Sequence, residues 1–466
     1  MNENYRGRYV NMFLALLDIT LVYVGYAATI WFYHVFSIPI KGPILDEVWL
    51  IVLSAPAFLC FYLIDLYKDW RRKSIHNLIY SVVLSMIVFS SFISIVSIWT
   101  PLLSFRKSFI IESFLIQTIL LIGVRVGIWY VGKKLSGNKR VIIICEDEKM
   151  GLTLADKFLN HEKGWFEISG FLTLSNLVYL QEYVNKYDIF LLSPTISGQK
   201  KDDIVSICIK YGKEVFVVPQ LSELFVQSSE AQQIDDMLVL SIKPPKFSRW
   251  HQIIKRMFDV IVSLILIIIS SPFCLILFLL IPLTSKGPAL YKQERIGLHG
   301  KTYWIYKFRS MIQNAENRTG PVLAINGDTR ITLIGKIIRA TRFDELPQLF
   351  NVIKGEMSLV GPRPEREYFI NQFKEKLPDY TFRLTVKPGI TGLAQVLANY
   401  STTVEDKLRF DLLYVRSYSF SLDLKILFQT LRVVIQRDQA QGVKEKSKTR
   451  EQKLINKLEQ NKVINH

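Results

Sequence analysis

The stretch "KRMFDVIVSLILIIISSPFCLILFLLIPL" (255–283) decides the fold, because it is long and apolar enough to cross a bilayer and yet contains a proline. A straight helix here would carry every later residue across the membrane. Pro272 removes one helical hydrogen bond and crowds the preceding turn, so a sharp kink is expected at Ser271 and Pro272. Such a kink could return the chain to the face it entered. These residues alone leave a membrane span and a re-entrant hairpin over 258–283 equally open.

The N-terminal third of the chain predicts a membrane region. Half of the 466 residues are hydrophobic, the mean hydropathy is +0.22 and the formal net charge is +17, which indicates membrane attachment combined with soluble mass. We expect a four-helix transmembrane region within residues 1–135. Its spans are predicted at 11–33, 46–66, 79–99 and 108–131. No small-residue cleavage site follows the first span, which is therefore expected to be an anchor.

Flanking cations predict the orientation of these spans. Ten lie on one side and three on the other: Arg6, Arg8, Lys68, Arg71, Arg72, Lys73, Lys133, Lys134, Lys139 and Arg140, against Lys41, Arg106 and Lys107. The positive-inside rule then places both ends of the region in the cytosol. Within the spans, Asp18 is a candidate intramembrane charge, and Arg125 is expected to snorkel toward the cytosolic surface.

Residues 136–245 predict a Rossmann-like α/β domain. Short apolar runs at 140–145, 166–172, 188–194, 214–219 and 237–242 are typical of buried parallel strands, and helical periodicity lies between them. A dinucleotide fingerprint should follow the first strand, but "CEDEKMG" (145–151) offers one glycine and three acidic residues. We therefore assign no NAD to this domain. The four cysteines form no CxxC pair, so neither a disulfide framework nor a zinc site is indicated.

Two adjacent carboxylates stand at the head of an amphipathic run in "TRFDELPQLFNVIKGEMSLVGPRP" (341–364). The pattern predicts a helix with Asp344 as its N-cap and Pro347 in its first turn. A capping role alone would account for an isolated Asp. Here, however, cations punctuate the surrounding segments, which are rich in Gly and Pro: Lys307, Arg309, Arg330, Arg339, Arg363 and Lys387. Carboxylates among so many cations favour phosphate binding through Mg²⁺, which needs only one or two carboxylates besides phosphate oxygens.

These motifs together resemble the catalytic domain of the bacterial sugar transferases, the monotopic polyprenyl-phosphate phosphoglycosyl transferases. The resemblance covers residues 255–437, about 180 residues. It includes "KRMFD", the Ser-Pro-broken apolar run, "KFRSM" (307–311), "DELPQL" (344–349), "GEMSLVGPRP" (355–364), "KPGITGLAQV" (387–396) and "DKLRFDLLYVRSYSFSLDLKIL" (406–427). The preceding spans and α/β domain resemble the long-form members. One departure is Ala398-Asn399-Tyr400, where many members carry Gly-Arg or Gly-Lys.

The resemblance implies a reaction and its residues. Asp344 and Glu345 would be the catalytic dyad: Asp344 attacks the sugar-linked phosphate of a UDP-sugar, releases UMP and forms a covalent phosphosugar-aspartate. Undecaprenyl phosphate then takes the hexose-1-phosphate, with glucose or galactose favoured. Glu345 would hold Mg²⁺. The substrate-binding candidates are Arg339, Arg363, Lys307, Arg309, Lys387 and Gln395. This would be the first membrane step of capsular polysaccharide, exopolysaccharide or O-antigen synthesis.

The resemblance also implies a topology. It makes the helix broken at Ser271 and Pro272 re-entrant, so a monotopic catalytic domain, residues 246–440, would stay on the cytosolic side of a bacterial inner membrane that the N-terminal helices cross. Downstream glycosyltransferases would act on the product, and the additional N-terminal half suggests a homodimer. The charged tail, 441–466, is expected to be a surface helix or a disordered segment near anionic lipid.

Other functions are weighed against this one. A membrane-tethered nucleotide-sugar dehydratase or epimerase would need a glycine fingerprint and a Tyr-xxx-Lys couple, and the α/β domain sequence shows neither. A non-catalytic polysaccharide-assembly scaffold would not need the Asp344-Glu345 pair. Nucleic-acid binding is not indicated, because the cations form no single basic module.

Overall fold

A computed structural model describes residues 3–38, 47–67, 70, 73–99, 105–161, 166–227, 229–244, 248–315, 328–398 and 402–436. They divide into two compact units, one ending at Val218 and the other beginning at Pro219. The sequence predicted a domain boundary between residues 245 and 246, whereas the two compact units divide earlier in the chain, between Val218 and Pro219. The predicted tail, 441–466, and the departure at Asn399-Tyr400 lie outside the described residues.

The first unit begins with apolar helices. They are α1 (Glu3–Val35), α2 (Glu47–Leu63), α3 (Ile75–Trp99) and α4 (Lys107–Ser136). Three of them are long and apolar enough to cross a membrane, over Arg8–Val35, Ile75–Trp99 and Lys107–Leu135, while the apolar helix at the second predicted span is shorter, Leu53–Leu63. The prediction of several N-terminal apolar helices is confirmed.

A buried ion pair joins α1 to α4. Arg125 Nε lies 2.9 Å from Asp18 Oδ1, and both side chains are almost completely buried. Gln117 Nε2 of α4 also donates to the carbonyl of Val22, at 3.0 Å. The prediction that Arg125 snorkels is wrong, because a counter-ion on the neighbouring helix satisfies its charge inside the bundle.

An α/β domain follows the helices. Its elements are β1 (Lys139–Cys145), α5 (Glu148–His161), β2 (Phe166–Thr173), a 3₁₀ helix (Leu174–Tyr179), α6 (Leu180–Val184), β3 (Ile189–Leu192), α7 (Gly198–Lys210) and β4 (Glu214–Val217). The strands form one parallel sheet in the order β2-β1-β3-β4. Ile143 of β1 packs on the same side as Leu154 of α5, whereas Ile144 packs on the side of Ile204 of α7. Helices therefore cover both faces, which confirms the parallel α/β prediction.

The start of α5 carries its own acidic cap. Asp147 Oδ1 accepts a hydrogen bond from the backbone N–H of Met150 at 2.6 Å. A carboxylate thus occupies the helix N-terminus where a dinucleotide fingerprint would present free N–H groups to a pyrophosphate.

The second unit contains the predicted catalytic stretch. Its elements are α8 (Leu221–Gln227), β5 (Glu230–Ile234), β6 (Met237–Ser241), α9 (Arg249–Thr284), β7 (Leu290–Ile296), β8 (Thr302–Phe308), α10 (Leu333–Ala340), α11 (Gln348–Lys354), β9 (Ser358–Val360), α12 (Glu367–Lys376), β10 (Gly389–Thr391), α13 (Leu393–Leu397), α14 (Val404–Arg416) and α15 (Phe420–Gln436), with 3₁₀ helices at Leu298–Gly300, Phe343–Glu345 and Pro378–Thr385. β7 pairs antiparallel with β8, and β9 pairs in parallel with β10.

The parallel strand predicted at 237–242 is wrong. These residues form β6, which pairs antiparallel with β5 in a separate and largely exposed hairpin. The turn contains Asp235 with φ of 54°, a left-handed conformation that Asp adopts more readily than most residues. An apolar run preceded by Asp235 and Asp236 thus forms a hairpin strand and not a core strand of the sheet.

Helix α8 packs with the C-terminal unit. Leu221 and Leu224 lie in one apolar cluster with Leu408 and Leu412 of α14. Arg409 Nε donates to the carbonyl of Pro219 at 2.7 Å. The segment that the sequence placed at the end of the α/β domain therefore completes the core of the following unit.

The long helix α9 contacts this unit near both of its ends. Near the start, Arg256 donates to the carbonyls of Val352 and Ile353 at 2.5 and 2.6 Å. Near the other end, Ile281 packs against Phe308 and Ile338. Between these points most apolar side chains of α9 are exposed.

Candidate active site

The two candidate carboxylates lie in a single helical turn. Asp344 and Glu345 belong to the 3₁₀ helix Phe343–Glu345, and helical backbone continues through Leu346 and Pro347 into α11. Arg342, immediately before this 3₁₀ helix, has φ of 60° and turns the chain away from α10. Both carboxylates are therefore fixed between two helices.

The prediction that Asp344 caps a helix is wrong. Pro347 is the N-cap residue of α11, and Asp344 lies inside the preceding turn. Asp344 Oδ1 is buried and has no hydrogen-bond partner among the described residues. The left-handed Arg342 starts the turn early, so the carboxylate extends into the site and does not fold back on the backbone.

Glu345 is held as an anion by two cations. Its Oε1 accepts from Lys307 Nζ at 3.0 Å and from Arg363 Nη2 at 2.9 Å. Burial disfavours ionisation of Glu345. The positive charges of Arg363 and, next in size, Lys307 outweigh this effect of burial and hold the pKa of Glu345 well below its usual range. The sequence analysis predicted that Glu345, Lys307 and Arg363 belong to one site, and in the structure Glu345 contacts both cations.

Asp344 is in the opposite electrostatic state. Burial, and then the charge of Glu345, raise its pKa to about 6, against the opposing effect of Lys307 and Arg339. One carboxylate is thus paired with two cations through Oε1, while its neighbour is buried, has no partner on Oδ1 and has a pKa of about 6. Two neighbouring acids with separated pKa values are typical of catalytic pairs.

Arg339 lies at the end of α10, beside the dyad. Its charge is one of those that lower the pKa of Asp344. Its Nη1 is buried and has no hydrogen-bond partner in the described part of the chain. A buried guanidinium nitrogen without an acceptor is suited to receive an anionic ligand.

The other predicted binding residues lie elsewhere. Arg309 Nη2 donates to the carbonyls of Ser285 and Gly287 at 2.6 and 3.1 Å, beyond the end of α9. Lys387 lies near Arg256 and therefore near the start of α9. Burial, and then the charge of Arg256, lower the pKa of Lys387. Gln395 Nε2 donates to the carbonyl of Ile390 at 2.8 Å, and its buried Oε1 lacks a partner among the described residues. Their substrate roles stay predictions.

A network that the sequence did not reveal supports Arg363. Arg383 donates from Nε to Asp411 Oδ2 and from Nη2 to the carbonyl of Arg363, each at 2.8 Å. Its Nη1 lies 3.1 Å from Tyr380 Oη. This buried group fixes the backbone that carries the Glu345 partner. Asp411 and Arg383 are single charges 28 positions apart, so only the fold shows that they pair.

The donor set fits a magnesium ion completed by substrate. Among the described residues there is no group of three or more His, Cys, Asp or Glu that could hold a metal by itself. Mg²⁺ does not need one, because one or two carboxylates together with substrate phosphate oxygens suffice. The carboxylate of Glu345, beside the unpartnered Asp344 Oδ1, offers one such ligand.

Comparison with known proteins gives concordant matches over this unit. A family model described as bacterial sugar transferase matches residues 250–437. The chain is 40% identical over 224 residues to the UDP-N-acetylgalactosamine-undecaprenyl-phosphate N-acetylgalactosaminephosphotransferase of Aeromonas hydrophila, covering 47% of this chain and 52% of that protein. It is 32% identical over 326 residues to the UDP-glucose:undecaprenyl-phosphate glucose-1-phosphate transferase of Klebsiella pneumoniae, covering 64% and 68%.

A third relative carries another sugar in its name. The chain is 37% identical over 245 residues to the undecaprenyl-phosphate galactose phosphotransferase of Salmonella typhimurium, covering 49% of this chain and 50% of that protein. The chain thus spans about half the length of the Aeromonas and Salmonella proteins and about two thirds of the Klebsiella protein.

Proposed function

The chain belongs to the bacterial sugar transferase family, and from this membership we propose that it moves a hexose-1-phosphate from a UDP-sugar to undecaprenyl phosphate. UMP is the other product. The observation that carries the proposal is the buried Asp344 carboxylate with an unpartnered oxygen, beside a second carboxylate that is already neutralised.

The chemistry proceeds in two displacements. An Asp344 oxygen attacks the sugar-linked phosphorus of the UDP-sugar, the bond from that phosphorus to the bridging oxygen breaks, and UMP leaves with the electron pair. A phosphate oxygen of undecaprenyl phosphate then attacks the same phosphorus and releases Asp344. The P–O–P bond of the UDP-sugar is replaced first by the acyl phosphate on Asp344 and then by the P–O–P bond of the lipid product, so the reaction needs no ATP.

The neighbouring residues lower the electrostatic barrier of both steps. In each step one anion approaches another, and positive groups offset their repulsion. Arg363, Lys307 and Arg339 supply those charges from three separate elements. Glu345, together with substrate phosphate oxygens, would hold Mg²⁺, which would neutralise charge on the transferring phosphate.

The transferred sugar is proposed as glucose or galactose, in the initiating step of capsule, exopolysaccharide or O-antigen synthesis. The names of two of the three relatives specify these sugars, and the third specifies N-acetylgalactosamine. The test is to incubate purified full-length protein with undecaprenyl phosphate and each of a panel of UDP-sugars, and to measure UMP. Repeated turnover, with UMP released beyond one equivalent only when the lipid and one UDP-hexose are both present, supports the proposal. No release with any UDP-sugar contradicts it.

The rate of the first step should depend on the ionisation of Asp344. Because burial and Glu345 raise its pKa to about 6, the nucleophile is protonated below that pH. We expect kcat/KM for UDP-sugar to fall about tenfold for each pH unit below 6 and to level off above it. A profile that stays flat down to pH 4.5, with the protein still folded by circular dichroism, would contradict an ionising nucleophile.

We also propose that α9 is re-entrant and that the catalytic domain is cytosolic. Arg256 and Ile281 are 25 positions apart, about 38 Å along a straight helix, and both contact one globular unit. Ser271 Oγ donates to the carbonyl of Ile268 at 2.8 Å, the group that Pro272 leaves without its helical partner. The exposed apolar side chains between these ends would then face lipid.

Topology can be tested at the end of α9. A single cysteine at Lys286, in a protein without its four native cysteines, should resist a membrane-impermeant thiol reagent in intact cells and react in inverted vesicles. A cysteine at Lys149 is the matched control for the α/β domain and should behave in the same way. Reaction of the Lys286 position in intact cells would show that α9 crosses the membrane and would overturn the re-entrant proposal.

A further inference from the structure

We propose that Gln348 contacts the substrate, its side-chain Nε2 donating a hydrogen bond to a non-bridging oxygen of the phosphate that Asp344 attacks. This inference rests on the proposed function and adds a residue to its site. Gln348 was not among the candidates chosen from the sequence. The proposal follows from an unsatisfied donor, its position relative to the nucleophile and the contrast with a second amide on the same helix.

Gln348 carries a buried donor that has nothing to bind. Its side chain is 3% exposed, and Nε2 has no hydrogen-bond partner among the described residues. A buried polar atom without a partner lowers the stability of the fold, so folded proteins rarely keep one without a reason. A ligand that brings an acceptor to this nitrogen would recover that cost.

Gln348 lies four positions after the nucleophile, about one helical turn along the chain. Helical backbone runs from Asp344 through Leu346 and Pro347 to Gln348. Residues four apart on a helix are neighbours, with about 5–6 Å between their Cβ atoms. An oxygen on the phosphorus under attack by Asp344 is therefore within reach of the Gln348 amide.

Asn351, one turn further along α11, shows what a structural amide looks like in this helix. Its Nδ2 donates to the carbonyl of Trp304 at 2.7 Å and to Glu356 Oε2 at 2.6 Å. Its Oδ1 accepts from the backbone N–H of Tyr306 at 3.4 Å. Asn351 thus joins α11 to β8 with a donor and an acceptor both used, whereas the Gln348 donor is left for something outside the fold.

Two unsatisfied donors and one unsatisfied acceptor lie between residues 339 and 348. The donors are Arg339 Nη1 and Gln348 Nε2, and the acceptor is Asp344 Oδ1. A phosphoryl group matches this set, because its phosphorus receives the carboxylate oxygen and its non-bridging oxygens accept from the two donors. No proton moves to or from Gln348 in the step, since a neutral amide only donates a hydrogen bond as negative charge develops.

The experiment measures UMP release without lipid acceptor in single-turnover conditions, using full-length Gln348→Met and Gln348→Glu. Both replacements are close to Gln in length, and both lack the amide donor. We expect the rate of UMP release to fall about 100-fold in each, which is typical for loss of one donor to a developing anion. The melting temperature of Gln348→Met should stay at or above the wild-type value, because no interaction within the fold is removed.

Asn351→Asp is the matched control and should behave in the opposite way. Loss of its donors to Trp304 and Glu356 should lower the melting temperature, with a smaller effect on the rate of the protein that stays folded. Wild-type rates in Gln348→Met would overturn the inference while leaving the proposed function intact. A melting temperature of Gln348→Met that falls as far as that of Asn351→Asp would assign Gln348 a structural role and would also overturn it. Absence of UMP release by the wild-type protein would instead count against the proposed function.

Discussion

Asp344→Asn should abolish turnover and leave the protein at least as stable as the wild type. The rate should fall by several powers of ten, because an amide cannot form an acyl phosphate, and loss of a covalent route raises the barrier by on the order of several kcal/mol. The folded pKa of Asp344, about 6, lies above its ordinary value, so the buried carboxylate destabilises the fold as pH rises through 6. At pH 7.5 the Asn variant should therefore melt at or above the wild-type temperature.

This pair of results separates a nucleophile from a structural residue. If Asp344 had only a structural role, Asn, which has nearly the same size and shape, would replace it with little effect on turnover. The measurements are UMP release with undecaprenyl phosphate and thermal unfolding in detergent. Turnover of the Asn variant at the wild-type rate would show that Asp344 is not the nucleophile.

Glu345→Gln should lose both activity and stability. The wild-type carboxylate pairs with Lys307 at 3.0 Å, and both side chains are largely buried. Removing one partner of a buried pair leaves the other charge uncompensated, which costs about 3 kcal/mol. Turnover should also drop severely, and raised Mg²⁺ should restore part of it if the remaining amide oxygen still binds the metal weakly.

The opposite stability effects at neighbouring positions are the distinctive expectation. Asp344→Asn removes an unpaired buried charge, while Glu345→Gln removes a paired one. Lys307→Met is the matched test of the pair, and combined with Glu345→Gln it should destabilise less than the sum of the two single changes. Additive melting shifts would show that Lys307 and Glu345 do not interact in the folded protein.

The fold was predictable wherever local pattern and burial agree. The apolar runs at 140–145, 188–194 and 214–219 form neighbouring parallel strands because helices cover both faces of the sheet. The run at 237–242 has similar composition but follows a turn at Asp235, and it forms an exposed antiparallel strand. Composition alone does not distinguish a buried strand from one that pairs only within a hairpin.

The site was predictable as a set of residues but not as a set of contacts. Lys307 and Arg309 stand two positions apart, yet one binds Glu345 and the other binds carbonyls beyond α9, because β8 ends at Phe308. Gln348 and Asn351 are both amide residues of α11, and the sequence does not distinguish their roles. Only the tertiary contacts show that the Asn351 amide is fully hydrogen-bonded whereas Gln348 Nε2 has no partner among the described residues. Contacts of this kind depend on segments distant in the chain, which sequence spacing does not report.

The most direct test of the central claim is to search for the covalent intermediate. Full-length protein incubated with the preferred UDP-sugar and Mg²⁺, without lipid, should release about one UMP per active site and then stop. Mass spectrometry should find a hexose phosphate on the peptide that contains Asp344, and hydroxylamine should remove it. UMP release that requires the lipid, with no adduct on Asp344, would show direct transfer and contradict the account.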